Sequence, residues 1–132
     1  MTATDTIKSA YRYLAEGNVP ALLELFDPSI IWNEAESSPY ANEEVWKGPA
    51  AVKRNLLDRM PGDWHTFAIR PVRFHDCGES VVVEARYTGT HRRTDRALDA
   101  QACHIWTVRG GRIVSFQQYA DTARLRDATL SA

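Results

Sequence analysis

The feature that most restricts the fold is a change of hydrophobic period near Trp64. Before it, apolar residues recur mainly at helical spacing; after it, that spacing is lost and four β runs follow, near 66–75, 80–90, 98–108 and 112–121. Asp76-Cys77-Gly78-Glu79 and Arg109-Gly110-Gly111 read as hairpin loops, whereas residues 90–97, THRRTDRA, form a longer polar loop. In the first half, Ile7, Ala10, Tyr11, Leu14 and Ala15 mark one helix that starts at Thr4 or Asp5 and stops at Gly17-Asn18. Pro20 opens a short second helix carrying Leu22, Leu25 and Phe26, which Asp27-Pro28 ends. Residues 30–36, IIWNEAE, alternate as a strand. Residues 37–48, SSPYANEEVWKG, have turn residues and no period. Gly48-Pro49 then opens a third helix with Val52, Leu56, Leu57 and Met60, ended by Pro61-Gly62. Helices first and a meander afterwards predict one α+β domain over 1–132, its helices packed on one face of a curved antiparallel sheet. The tail TARLRDATLSA adds a short helix or frays.

Composition narrows the function classes. With 132 residues, 44% of them hydrophobic, the chain can bury a core of its own. Sixteen Lys+Arg against 17 Asp+Glu leave a net charge of −1, which offers no field for a polyanion, so neither nucleic acid nor a membrane is expected as partner. The basic run His91-Arg92-Arg93 with Arg96 is diluted by Asp95 and Asp99 and reads as a solvated loop. Cys77 and Cys103 make neither a disulfide framework nor a zinc site, and His75-Asp76-Cys77 is a tight turn without a second cluster, so no metal is expected. Reduced thiols, no stretch of about 18 apolar residues and a polar, helical N-terminus suggest the cytoplasm. Phosphate-cradling glycine loops, a GxSxG elbow and HExxH are all missing from the sequence.

The strand faces predict a pocket. A three-residue loop at 109–111 makes Val108 face Arg112, which puts His104, Trp106 and Val108 with Val114, Phe116, Gln118 and Ala120 on one face. Val81, Val83, Ala85 and Tyr87 join that concave side, and if Trp32 faces inward, Glu34 and Glu36 follow it. The expected cavity is lined by Trp32, Tyr87, Trp106 and Phe116, with Glu34, Glu36, His104 and Gln118 converging on it. Tyr40 belongs to the same pocket, and Leu56 and Met60 form an apolar lid. A carboxylate among aromatic neighbours has a raised pKa, and Glu34 with His104 is then a sensible acid–base pair. The plainer reading makes His104 a hydrogen-bonded core residue and leaves the carboxylates at a solvated rim or paired with Arg54, Arg70 or Arg86. The outer sheet face, with Ile105, Thr107, Ile113 and Tyr119, has no helix of its own over it and predicts a homodimer. Asp121 is expected to cap the terminal turn.

The order of elements, with EGNVPALLELFDPSIIWNEAESSPY and HIWTVRGGRIVSFQQYADT, resembles the SnoaL-like branch of the nuclear transport factor 2-like superfamily, across nearly the whole chain. Ketosteroid isomerase, limonene epoxide hydrolase, scytalone dehydratase and the polyketide cyclases belong to that superfamily. The resemblance implies a cone-shaped curved sheet with three N-terminal helices enclosing one pocket, frequent homodimers, and acid–base chemistry of isomerase, cyclase or lyase type on a small hydrophobic molecule without a cofactor. By the same resemblance the isomerase's base falls on Glu34 and its oxyanion-stabilising acid on His104, while its tyrosine donor falls on Ala10, beside Tyr11. The acid base of the polyketide cyclases falls on Gln118, an amide that takes no proton at neutral pH. The epoxide hydrolase's catalytic residues fall on Trp32, Glu34, Ala85, Tyr87 and Gln118, so that set is not reproduced. The alternative to an enzyme is a non-catalytic ligand-binding or dimerisation module.

Overall fold

The structure is a computed structural model that describes residues 1–42 and 44–130; Glu43 and the last two residues of the tail lie outside the described residues. Helix α1, Ala3–Glu16, begins earlier than its apolar stripe because Thr2 and Asp5 form a reciprocal capping box, each side chain accepting from the other's backbone N–H. Gly17, at φ 67°, closes it in the left-handed region. Helix α2 spans Val19–Glu24, and strand β1 runs from Phe26 to Asn33. The strand therefore starts and stops earlier than the alternation at 30–36 predicted.

A two-residue strand β2, Trp46–Lys47, lies in the stretch that shows no period. Helix α3, Pro49–Val52, continues into a π-helical turn at Lys53–Leu57, and a separate short helix α4 covers Met60–Asp63. Pro61-Gly62 thus does not end the third helix. The proline sits in the first turn of α4, where its missing N–H has no intrahelical partner to lose.

Strands β3 (Trp64–Cys77), β4 (Ser80–His91), β5 (Ala97–Arg109) and β6 (Arg112–Ala120) form the meander, followed by helix α5, Thr122–Thr129. The six strands lie in the order β2-β1-β6-β5-β4-β3, antiparallel except for β1 beside β6. Edge strand β3 tolerates Pro71, and its ladder shifts register between Pro71 and Arg73. Gly89 is needed where β4 crosses β3, because a Cβ there would lie 2.3 Å from the Thr66 carbonyl oxygen.

The hairpin between β5 and β6 differs from the three-residue loop expected. Arg109 pairs with Arg112 across Gly110-Gly111, at φ 57° and 76°, which is the two-glycine turn that suits strand twist. That turn puts Ile113 beside Val108 on the buried face, so Ile113 is not an outer-face residue. A bulge at Val114 then restores the expected parity, and Trp106 pairs with Phe116 and His104 with Gln118. The concave face they share is filled by Val81, Val83, Trp32, Trp106, Ile113 and Phe116, against which α1 lays Ile7, Ala10 and Tyr11.

Asp121 caps α5, its carboxylate accepting from the Arg124 backbone N–H at 3.1 Å. The basic loop after β4 is solvated as expected, with Arg92, Arg93, Asp95 and Arg96 exposed, and it is also anchored: Arg92 donates to the Pro61 carbonyl, and Arg93 and Arg96 donate to the carbonyls of Thr129 and Asp127 at the end of α5. Asp121→Ala is expected to lower unfolding free energy by about 1 kcal/mol in a denaturant titration. An unchanged midpoint would remove the capping role.

Candidate active site

A cavity of about 470 Å³ lies between the concave sheet face and the helices, within the size range of small-molecule sites. Its walls include Trp32, Trp106 and Phe116 on one side, and Leu56, Leu57 and Met60 on the other. The π-helical turn brings adjacent Leu56 and Leu57 onto this wall together. Tyr40 closes part of the rim, donating its hydroxyl hydrogen to Asp63 at 2.7 Å while the Trp64 indole donates to Tyr40.

Glu34 stands just beyond the end of β1 and opens on this cavity. Two contacts hold it. The Gln118 side-chain oxygen accepts from the Ala35 backbone N–H at 3.0 Å and fixes the chain where it leaves the sheet, and the Trp32 indole donates to the Glu34 carboxylate at 3.0 Å. Burial raises the Glu34 pKa to about 7, the Trp32 hydrogen bond opposing that rise. Glu36 is not part of the site. The strand has already ended, Glu36 lies in a turn, and its side chain is exposed outside the cavity.

His104 lines the cavity but has no free ring nitrogen. Its Nδ1 lies 2.6 Å from the Tyr11 hydroxyl and its Nε2 lies 2.5 Å from the Tyr87 hydroxyl. Trp106 donates to the Tyr11 oxygen at 2.9 Å, and Gln118 donates to the Tyr87 oxygen at 2.8 Å. The chain Trp106–Tyr11–His104–Tyr87–Gln118 is buried throughout. Burial lowers the His104 pKa to about 3, so the imidazole is neutral at ordinary pH. Burial also pushes both tyrosine hydroxyls well above their usual range; for Tyr87 the nearby Glu34 charge adds to this while the Gln118 hydrogen bond opposes it. Between pH 5 and 9, therefore, Glu34 is the member of this group that changes charge.

The structure brings Glu34, His104, Trp32, Tyr40, Leu56, Met60, Tyr87, Trp106, Phe116 and Gln118 around one space and leaves Glu36 out. Tyr11 is the polar residue that the strand argument overlooked. Ala10, on which the resemblance places the isomerase's tyrosine donor, is wholly buried, and its neighbour Tyr11 lines the cavity. A tyrosine on the apolar stripe of α1 needs a partner for its hydroxyl, and that is the signal that points to it.

The sequence profile of the SnoaL-like domain matches residues 7–116, most of the chain, from α1 to the middle of β6. The chain belongs to the SnoaL-like family. Among solved structures, this SnoaL-like protein is similar to a nuclear transport factor 2-like protein from Burkholderia thailandensis E264, at 27% identity and a TM-score of 0.93 over 99% of both chains. It shares its fold with TerC co-crystallized with polyporic acid, at 20% identity and a TM-score of 0.86 over 98% of both chains. The same fold recurs in a putative SnoaL-like polyketide cyclase from Jannaschia sp. CCS1, at 14% identity and a TM-score of 0.80 over 98% of this chain and 94% of that one. No curated protein matches the chain by sequence. Among the described residues no helix is long and apolar enough to cross a membrane, and no three His, Cys, Asp or Glu side chains are grouped to hold a metal ion.

Proposed function

We propose that this SnoaL-like protein is an acid–base enzyme of isomerase, cyclase or hydrolyase type that acts, with side chains alone, on a small hydrophobic metabolite bearing a carbonyl group. The observation that carries this reading is Glu34: a carboxylate held by an indole N–H at the edge of an aromatic cavity, with a pKa raised to about 7. A base with that pKa is ionised about half the time at neutral pH and still strong enough to take a proton from carbon beside a carbonyl. In the step proposed, the C–H bond breaks, its proton goes to Glu34, and the electron pair moves onto the carbonyl oxygen. The buried tyrosine–histidine chain meets that oxygen with a hydroxyl hydrogen, and the proton returns from Glu34 to a carbon of the product.

The test is exchange of the α-hydrogens of 2-tetralone in D₂O, followed by NMR. The protein is expected to accelerate exchange, with a rate that rises with pH and levels off above about 7. A second reading, a passive ligand-binding module, is favoured by Gln118, an amide engaged with Ala35 N–H and Tyr87 and unable to carry a proton. Binding of the ketone with no accelerated exchange would replace the enzyme by that module.

The outer sheet face carries Tyr119, 56% exposed, beside half-buried Ile105 and Thr107, together with the Arg86–Asp99 ion pair. We propose that a second copy of the chain covers this mixed face in a symmetric homodimer. Sedimentation at micromolar concentration should give twice the mass of 14.9 kDa; a monomer would remove the proposal. The free thiols of Cys77 and Cys103 support a reducing compartment, for which we propose the cytoplasm.

A further inference from the structure

The buried chain contains more hydrogens than its internal contacts consume. Trp106 gives its indole hydrogen to Tyr11, and Gln118 gives an amide hydrogen to Tyr87, its orientation fixed because its oxygen accepts from Ala35 N–H. What remains is one hydrogen on each tyrosine hydroxyl and one on the neutral imidazole. Only two contacts are left to use them, Tyr11 with Nδ1 and Tyr87 with Nε2. Each contact takes one hydrogen. One tyrosine therefore receives the imidazole N–H and keeps its own hydroxyl hydrogen without a partner among the described residues. Both tyrosines line the cavity.

Two arrangements satisfy that count. With the imidazole hydrogen on Nδ1, the spare hydroxyl hydrogen is on Tyr11; with it on Nε2, the spare hydrogen is on Tyr87. The two are distinguished by Glu34: one Gln118 amide bonds both the Tyr87 hydroxyl and the backbone N–H of Ala35, the residue next to Glu34, so Tyr87 is the tyrosine on the carboxylate's side, whereas Tyr11 is tied to Trp106. An anionic neighbour favours the arrangement in which a positively polarised hydrogen points its way. The bonds of Tyr87 run to His104 and Gln118 and that of Glu34 to Trp32, and both side chains line the cavity.

We propose that His104 is protonated on Nε2 and that Tyr87 turns its spare hydroxyl hydrogen into the cavity, so that the site selects apolar molecules carrying a ketone-type oxygen acceptor. His104 then never touches the ligand. It is a positioning residue: by donating to Tyr87 it forces that hydroxyl to donate elsewhere, and by accepting from Tyr11 it takes the competing hydrogen out of use. The proposal deepens the functional reading above and rests on the cavity being the ligand site, but not on turnover.

Two readouts test it on the intact protein. Long-range ¹H–¹⁵N spectra of histidine-labelled protein at pH 8 should show His104 with Nε2 protonated and Nδ1 bare; the opposite tautomer overturns the proposal. Binding of 2-tetralone and of tetralin, the same skeleton without the carbonyl, is followed by tryptophan fluorescence. The ketone should bind about tenfold more tightly, the effect of one buried hydrogen bond. Tyr87→Phe should lose that preference, since it removes the hydroxyl hydrogen that meets the ketone oxygen. Equal binding of the two, no binding of either, or an unchanged preference in folded Tyr87→Phe overturns the assignment to Tyr87. A ketone preference without deuterium exchange would instead sink the enzyme and leave this selectivity standing.

Discussion

Glu34→Gln should lower the α-exchange rate of 2-tetralone about a thousandfold, the usual contribution of a placed general base. The amide keeps the shape and can still accept from the Trp32 indole, so tetralone binding should change little. The same substitution should alter the pH dependence of stability in a definite sense. Between pH 4.5 and about 7 the folded carboxyl holds a proton that the unfolded chain has released, so the Glu34 contribution to stability falls as pH rises through that window. The variant lacks this fall. At pH 8 it should be more stable than the parent by about 2 kcal/mol, a discounted figure because the carboxylate opens on a cavity that water can enter. His104 acts in the opposite direction. Its folded pKa lies below the unfolded value of 6.5, so its contribution is fully present above 6.5 and is lost on acidification toward 3. Urea titrations of both proteins at pH 4.5, 6 and 8 separate the two groups. A thousandfold loss of exchange accompanied by a loss of binding would assign Glu34 to ligand recognition instead of proton transfer.

His104→Ala should be the most damaging single change, lowering unfolding free energy by about 4 kcal/mol. It removes a wholly buried ring that contacts Tyr11, Tyr87, Trp106 and Phe116, and it strips both tyrosine hydroxyls of a partner at once. His104→Phe refills the volume but leaves the hydroxyls unpaired, and should recover about half of the loss. If Phe restored full stability, the hydrogen-bonded chain would have no structural role. If Ala cost less than about 1 kcal/mol, the ring would not be part of the core.

The pocket-facing residues of β4, β5 and β6 were legible in the sequence because side-chain alternation and Gly-rich turns are local signals. His104 and Gln118 share a face as expected, although the expected loop sets His104 opposite Phe116 and the structure sets it opposite Gln118: the two-glycine turn changes parity once, and the bulge at Val114 changes it back. Ile113 lies between those two events and was assigned to the wrong face for that reason. Glu36 failed for a different one. The alternation of IIWNEAE continues after the backbone has left the sheet at Asn33, and a pattern in sequence does not reveal where Gln118 pins the chain. The partners of His104 were hidden because Tyr11 is 93 residues away on a helix whose docking no local signal specifies. The sequence around His104 fits both a core residue and a proton donor to the ligand. The structure makes it a fully bonded core residue whose two tyrosine neighbours face the cavity.

The proposed chemistry depends on a single desolvated carboxylate in the cavity. The most direct measurement is the titration of the Glu34 side-chain carboxyl carbon by ¹³C NMR in the folded protein, assigned by its absence in Glu34→Gln. A midpoint near 7, with His104 silent over the same range, is the result predicted. A midpoint at the ordinary glutamate value of 4.5 would mean that Glu34 is solvated, and the proposed base would be lost.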